Sequence, residues 1–433
     1  MLSGKKLSPA NTRESSVSTN DRVILRDLTQ QYLELTAKPV YDERRELWRQ
    51  HNSLRPTRPL VIIHYGMWNV WCRDFFGDHI LQCQNPFYRA HERNLRMQIW
   101  HDSVGDDWIL EPWITQGASV LSGGGWTGVW GVENAELERS DDEGGSFRNI
   151  KPPLQSWDDM ARLRAPKHEI DEAATEQNVS RLHEAIGDLI DIDVNRGPVL
   201  QGFFGDISTC LAYLRGLQQI MVDMYESPAQ LKELLAFMRD GILMNQQQAE
   251  DAGDFSLTNH SNQAMPYALH LEDPKANSGP RRRKELWGFF AAQEYTLISP
   301  KFHDEFLYQY QLPIMSHFGL THYGCCEDLT KKIDMLRQAP NLRSIAVTPV
   351  ADVVASAEQI GTDYVYSWRP NPTDMVAHSW DEARVRRIIG EGLRATQGCH
   401  VHVHLKDIET VGGDPNRLAQ WVAVVKDEIE KLA

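Results

Sequence analysis

Residues 319–361, GLTHYGCCEDLTKKIDMLRQAPNLRSIAVTPVADVVASAEQIG, contain two consecutive units, each made of a short apolar strand, a loop and a helix. Two more units follow: TDYVYSWRPNP (362–372) with a helix at 379–398, and HVHVHLKDIETVGGDP (400–415) with a helix from about 417 to 432. Strands that alternate with helices in this way predict a parallel sheet that is covered by helices.

Segments upstream of this stretch add further strands. Runs near residues 61, 129, 199 and 256 bring the number of predicted strands to about eight. Eight parallel strands, each followed by a helix, predict an α/β fold of the closed (β/α)8 TIM-barrel type. An open doubly wound sheet is the alternative, but no strand end carries the GxGxxG turn of the dinucleotide-binding version of that fold.

The chain is expected to form one barrel domain over residues 21–433, after a disordered polar arm at 1–20. Helical periodicity over residues 23–50 predicts an N-terminal helical extension. Residues 261–284 form a long polar connection, and because such loops are uncommon unless they have a function, we expect a lid-like insertion there.

The composition is that of an ordinary globular chain, with 41% hydrophobic and 24% charged residues. A formal charge of −15 repels phosphate backbones, so nucleic acid is not an expected partner. No apolar run is long enough for a membrane helix, and the N-terminus lacks the apolar core of a secretory signal. Six sparse cysteines do not make a disulfide framework, so we expect a reducing, cytoplasmic environment.

The last predicted strand, HVHVHLKD (400–407), has two chemically different faces. Its apolar residues share one face, and its histidines and Lys406 share the other, because side chains alternate along a strand. In a barrel the apolar set would face the helices and the polar set would point inward. Such a polar file needs hydrogen-bond partners or a wet cavity.

Barrel enzymes carry their functional groups at the C-terminal ends of the strands. The substrate-binding candidates at these ends are His64, Trp68, Asp206, Asn259, His260 and Arg369. The catalytic candidates are Glu294, Tyr323, Glu327 and Lys406. Tryptophans could also floor a ligand pocket, although most such residues belong to a core: Trp68, Trp71, Trp113, Trp126 and Trp130.

Several of these candidates have a purely structural interpretation as well. Arg369 would clamp a carboxylate or phosphate, or form a surface salt bridge. Lys406 and Asp407 would form a simple ion pair at the rim. Glu294 would act as a general base, or only as a charge at a helix start. His404 would take part in chemistry, or hydrogen-bond to a neighbouring strand.

The segment HYGCCE (322–327) has the highest density of chemically active side chains. Cysteine, histidine and glutamate all bind zinc, and a catalytic zinc takes three protein ligands and keeps an open position. Cys325 and Glu327, together with His404 from a different strand, could supply such a set. The alternative is that both cysteines are small buried apolar residues, because neither CxxC nor HExxH spacing is present.

Five segments together resemble the uroporphyrinogen decarboxylase-like superfamily, which includes cobalamin-dependent methyltransferases. They are AQEYTLISPKFHDEFLYQYQLPIMSHFGLTHYGCCEDL (292–329), YVYSWRPNP (364–372), HLKDIETVGGDPNRLAQWV (404–422), RPLVIIHYGMW (58–68) and FYRAHERNLRMQIW (87–100). The resemblance covers residues 58–432 and implies a (β/α)8 barrel with its pocket at the C-terminal strand ends.

The resemblance implies a methyltransferase that moves a methyl group between a corrinoid on a partner protein and a small molecule, with zinc assistance. The zinc methyltransferases have His-x-Cys where this chain has Tyr323-Gly324-Cys325, and a further cysteine where it has His404 and Lys406. The RQAGR-type motif of true porphyrin decarboxylases is missing. A metal-free lyase for a carboxylated substrate and a non-catalytic module that binds a corrinoid partner are the alternatives, and subunit pairing in the group implies a homodimer.

Overall fold

A six-stranded parallel sheet is the largest sheet in the computed structural model, which describes residues 17–64, 70–139, 147–377 and 379–432. In chain order the strands are β1 (Leu60–Ile63), β2 (Trp113–Gly117), β3 (Glu136–Arg139), β4 (Phe147–Lys151), β5 (Asp191–Asn195), β6 (Trp287–Phe290), β7 (Leu320–Tyr323), β8 (Leu342–Val347), β9 (Val365–Trp368) and β10 (His400–Leu405). The large sheet has the order β1-β10-β9-β8-β7-β6, β2 pairs with β5 in parallel, and β3 pairs with β4 as a hairpin.

Helices fill the connections between these strands. They are α1 (Thr19–Thr36), α2 (Val40–His51), α3 (Val70–Phe76), α4 (Pro86–Asp102), α5 (Gly125–Gly128), α6 (Glu172–Ile186), α7 (Ser208–Arg215), α8 (Leu217–Glu226), α9 (Pro228–Ala252), α10 (Pro300–His303), α11 (Gln309–Met315), α12 (Ile333–Leu336), α13 (Val353–Ile360), α14 (Pro372–Met375), α15 (Glu382–Ala395) and α16 (Asn416–Glu430). A π-helical segment at Asp304–Tyr308 joins α10 to α11. In the described part of the chain, no helix combines the length and apolar character needed to cross a membrane.

The four strand–helix units predicted from residue 319 onward are confirmed. Strands β7 to β10 run parallel, each hydrogen-bonded to the next, and β1 pairs with β10 with Leu60 opposite His402. The C-terminal ends of these strands therefore lie along one edge of the sheet. The mixed α/β class with a central parallel sheet follows directly from this pairing.

Strand β10 has the two faces that the alternation predicts. Val401, Val403 and Leu405 are buried in the same apolar cluster as residues of α16. On the other face, His402 Nε2 lies 2.7 Å from Ser367 Oγ, and His402 Nδ1 lies 3.1 Å from Nε2 of His51 on α2. His402, in the middle of the polar face, is thus paired with side chains of β9 and of helix α2.

Three of the predicted strands are wrong. The segment near 129 follows helix α5, the segment near 199 leads into a 3₁₀ turn at Gly202–Phe204, and the segment near 256 forms a 3₁₀ turn at Leu257–Asn259. In the last case a capping box explains the turn, because Ser256 and Asn259 bond to each other's backbone. The structure instead has three parallel strands that were not predicted: β2 and β5, which pair with each other, and β6, which pairs with β7.

The predicted N-terminal helical extension is present as α1 and α2, and α1 already begins at Thr19. Residues 1–16, most of the predicted arm, lie outside the described residues. The 261–284 segment is anchored in the fold, since Asn52 Nδ2 donates to the carbonyls of Met265 and Tyr267, and Trp287 Nε1 donates to that of Pro266. A lid movement of this segment stays a prediction.

Candidate functional site

A cavity of about 720 Å³ opens at the C-terminal ends of the strands. His64 follows β1, Cys325 and Cys326 follow β7, and Lys406 follows β10. The cavity thus collects the ends of strands that are far apart in sequence, which is where parallel α/β folds place their ligands.

Aromatic and aliphatic side chains form the other wall. Phe203 and Phe289 contact each other at 4.8 Å between ring centroids, and Trp126 stacks on Phe204 at 4.2 Å. Ala212, Tyr213 and Leu217 complete this apolar wall. The cavity is therefore suited to a small molecule with an apolar body, and the residues that follow β1, β7 and β10 give it a polar end.

Cys325 is the most reactive side chain of that polar end. Its Sγ lies 3.2 Å from Lys406 Nζ, 3.5 Å from Gln263 Nε2 and 3.4 Å from Cys326 Sγ. The hydrogen bond from Cys326, together with the charges of Lys406 and Arg369, lowers the pKa of the Cys325 thiol despite its burial. The side chain is thus held as a thiolate, the nucleophilic form of cysteine.

The turn that carries Cys325 is fixed from behind. The Glu327 carboxylate accepts hydrogen bonds from the backbone N–H of Ala292 at 2.7 Å and of Cys325 at 2.8 Å. The buried Arg369 guanidinium donates to the carbonyls of Cys325 and Gly324. Glu327 and Arg369 therefore position the cysteine, and neither lines the cavity.

Two histidines extend the polar end inward. The rings of His64 and His404 lie 5.6 Å apart, and His64 lines the cavity. Burial, with a contribution from Lys406, lowers the pKa of His64 to about 4, and burial also holds the pKa of His404 well below its usual value. Within the described residues, both ring nitrogens of His404 and the Nδ1 of His64 lack a hydrogen-bond partner. Both rings are therefore neutral, with hydrogen-bonding capacity to spare.

An acidic pair stands at another part of the cavity wall. Glu294 lines the cavity and accepts a hydrogen bond from Ser208 Oγ at 2.7 Å, and burial raises its pKa. Asp206 is fully buried and is held by Thr209, and its pKa is raised by burial and by the Glu294 charge. Both carboxyl groups therefore hold a proton more readily than a free carboxyl group does, and Glu294 is the one that faces the cavity.

Three other candidates, all described in the structure, do not line this cavity. The Tyr323 hydroxyl points toward the helices and donates to Gln311 Oε1 at 2.7 Å, and Asn259 Nδ2 donates to Asn195. His260 lines a separate cavity of about 330 Å³. Trp68 lies outside the described residues.

The zinc set of Cys325, Glu327 and His404 is not assembled here. Each Glu327 carboxylate oxygen accepts a backbone N–H, and the Cys325 sulfur faces the Lys406 ammonium, an arrangement that competes with a metal ion. Over residues 17–64, 70–139, 147–377 and 379–432, no group of three His, Cys, Asp or Glu side chains is placed to hold a metal. Zinc binding stays a prediction.

Some residues of the site were not among the sequence candidates. Gln263 bridges Cys325 and Lys406, and Phe203 and Phe289 form the apolar wall. Gln263 lies in the 261–284 loop, Phe203 in the 3₁₀ turn at Gly202–Phe204, and Phe289 on β6. None of the three was named as a site residue from the sequence. No family model matches the chain, and no curated protein matches it. The functional assignment therefore depends on the geometry of the site.

Proposed function

We propose that the chain is a methyltransferase that moves a methyl group between a corrinoid on a partner protein and a small molecule in the cavity. The observation that carries the proposal is the Cys325 sulfur, which lies 3.2 Å from the Lys406 ammonium in a largely apolar cavity at the strand ends. The sequence resemblance supplies the reaction type. A corrinoid, when bound, would supply or accept the methyl group.

The side chains of the chain itself would prepare the small molecule. The Cys325 thiolate takes a proton from a thiol or hydroxyl of that molecule, whose oxygen or sulfur then becomes the nucleophile. Lys406 and Gln263 orient the Cys325 sulfur, and the aromatic wall excludes water from the reacting atoms. In the reverse direction, the Cys325 thiol returns that proton to the leaving oxygen or sulfur. A module that only binds a partner has no use for a cysteine sulfur held beside a lysine ammonium inside a largely apolar cavity.

We also infer that the two parallel sheets close into one (β/α)8 barrel. On one side of β1, the backbone N–H of Asp107 donates to Val61 O at 2.7 Å, which continues the sheet toward β2. At the opposite edge of the six-stranded sheet, the backbone N–H of Ser261 donates to Trp287 O of β6. The nearby Asn259 Nδ2 donates to Asn195 of β5. Residues 256–261 therefore bridge β5 and β6, which supports closure.

The test uses free methylcobalamin and 2-mercaptoethanol as probes, followed by the absorbance of the corrinoid under anaerobic conditions. The wild type should demethylate the corrinoid faster than buffer does, and Cys325→Ser should lose this activity. Cys399→Ser is the matched control, because Cys399 lies away from the cavity. Equal rates for wild type, Cys325→Ser and buffer would reject the proposal.

Elemental analysis of the wild type and of Cys325→Ser tests the metal separately. Stoichiometric zinc that disappears in the variant would make Cys325 a ligand. Absence of zinc from an active wild type would assign the chemistry to the side chains alone.

A further inference from the structure

Cys325 and Cys326 place two thiol groups side by side at the rim of the cavity. Their Sγ atoms lie 3.4 Å apart. Cys325 is 3% exposed and borders the cavity, whereas Cys326 is an exposed residue whose Sγ is 3.8 Å from the Asp407 carboxylate. Both residues thus border the cavity, and Cys326 is also open to solvent.

The two sulfurs have different surroundings, and this gives them different chemical roles. Cys325 Sγ contacts the Lys406 ammonium, which stabilises its thiolate. Cys326 Sγ faces a carboxylate, which favours the protonated thiol. A thiolate next to a second thiol is the arrangement found where cysteine is oxidised reversibly, with the neighbour acting as the resolving group.

We propose that Cys325 and Cys326 form a modification site at which a peroxide converts the two thiols into a disulfide. The Cys325 thiolate attacks one peroxide oxygen, the S–O bond forms as the O–O bond breaks, and the leaving oxygen takes up a proton and departs as water. The Cys326 sulfur then attacks the Cys325 sulfur. The S–S bond forms as the S–O bond breaks, and the proton of Cys326 leaves with the second water.

A disulfide between these adjacent residues would close a ring that includes their peptide bond, and the movement needed for it falls on one of the two residues. The sulfurs must approach each other by about 1.4 Å to reach disulfide bonding distance. The backbone of Cys325 is fixed by Glu327 and Arg369, so the exposed Cys326 is the residue that moves. Formation of the disulfide consumes the Cys325 thiolate, which is the partner of the Lys406 ammonium. Oxidation would therefore switch the site off until a thiol reductant restores the two thiols.

The experiment treats the full-length protein with equimolar hydrogen peroxide and reads the products by mass spectrometry, so it does not depend on any activity. The wild-type peptide that contains residues 325 and 326 should lose two hydrogens and regain them with dithiothreitol. Phenylarsine oxide, which bridges paired thiols, should bind the reduced protein and lose that binding after oxidation. Cys399→Ser should behave as the wild type.

The single variants assign the two roles. In Cys326→Ser, Cys325 should gain one oxygen, and dimedone should trap it as a sulfenic acid. In Cys325→Ser, Cys326 should remain unmodified at the same peroxide dose. The proposal is overturned if the wild-type peptide gains oxygen without losing two hydrogens, or if Cys326→Ser gives the same product as the wild type. Either result leaves the methyl-transfer proposal untouched.

Discussion

Replacement of Lys406 by methionine should raise the pKa of Cys325, because the ammonium is the nearest positive charge to the thiolate. Two unit charges 3.2 Å apart interact by about 5 kcal/mol at an effective dielectric constant of about 20. Asp407 lies 3.4 Å from the same ammonium and cancels part of this effect. We therefore expect the pKa to rise by at least about one unit, which corresponds to about 1.4 kcal/mol. Methionine keeps the length and apolar contacts of the lysine stem.

The rate of iodoacetamide alkylation of Cys325, measured against pH with peptide mapping, reports this pKa. The wild type should reach half of its maximal rate at a lower pH than Lys406→Met. Lys301→Met, which removes an exposed lysine away from the cavity, should leave the profile unchanged. Thermal melting of each variant checks that the fold is intact. Identical profiles for the wild type and a folded Lys406→Met would show that the ammonium does not stabilise the thiolate.

Gly324→Ala should lower the free energy of unfolding by about 2 kcal/mol or more, because this residue has φ +108° and an added Cβ would lie 2.7 Å from a neighbouring side chain. A free energy of unfolding in urea that differs from the wild-type value by less than about 0.5 kcal/mol, roughly the spread of neutral substitutions, would contradict this. Arg215→Met should cost about 3–5 kcal/mol, since it leaves buried Asp223 without its bidentate partner, and a double variant with Asp223→Leu should recover most of the loss in the same assay. Acid should also destabilise the protein: His64 and His404 have pKa values below that of the unfolded chain, so the unfolded chain binds protons first as the pH falls below about 6.5. Stability should fall by up to about 1.4 kcal/mol per pH unit for each histidine, and His404→Leu should flatten the slope measured by urea unfolding between pH 7 and pH 5.

The strands that could be predicted are those whose local pattern and tertiary role agree. Strand β8 is apolar apart from Arg343 and Ser344, and strand β10 alternates strictly between histidine and apolar residues, so each has a recognisable strand pattern. Helices with clear N-caps separate these strands: Asp352 caps the start of α13, and Asp381 caps the start of α15. Local and global preferences coincide here, so sequence alone suffices.

The strands that were missed have no such pattern. Strand β5, DIDVN, contains two aspartates and follows directly on the amphipathic helix α6, so its sequence resembles a polar turn. Its partner β2 contains glutamine, threonine and glycine. Pairing of Trp113 with Asp191 brings together residues that are far apart in the chain, and no local window contains that information. Tertiary contact decides these two strands.

The candidate site shows the same division between local motif and distant contact. The segment 322–327 was singled out from the sequence, and in the structure its Cys325 lines the cavity. The motif does not reveal which of its neighbours face the cavity. Glu327 and Arg369 have the residue types of catalytic groups, yet they bond to backbone atoms and, in the case of Arg369, also to His322 Nε2. The groups that contact the thiolate across space, Gln263 and Lys406, come from a loop and from the last strand end.

This division follows from how a strand end is built. The turn after β7 must hold a reactive sulfur at the cavity against thermal motion, and nearby polar groups such as Glu327 are used to bind its backbone. Once they are used in this way, they cannot also bind a ligand. The electrostatic tuning of the sulfur must then come from other strands, whose ends meet it only in the folded sheet. Substitution of Glu327 should therefore disturb the position of Cys325, whereas substitution of Lys406 should change its reactivity at constant position.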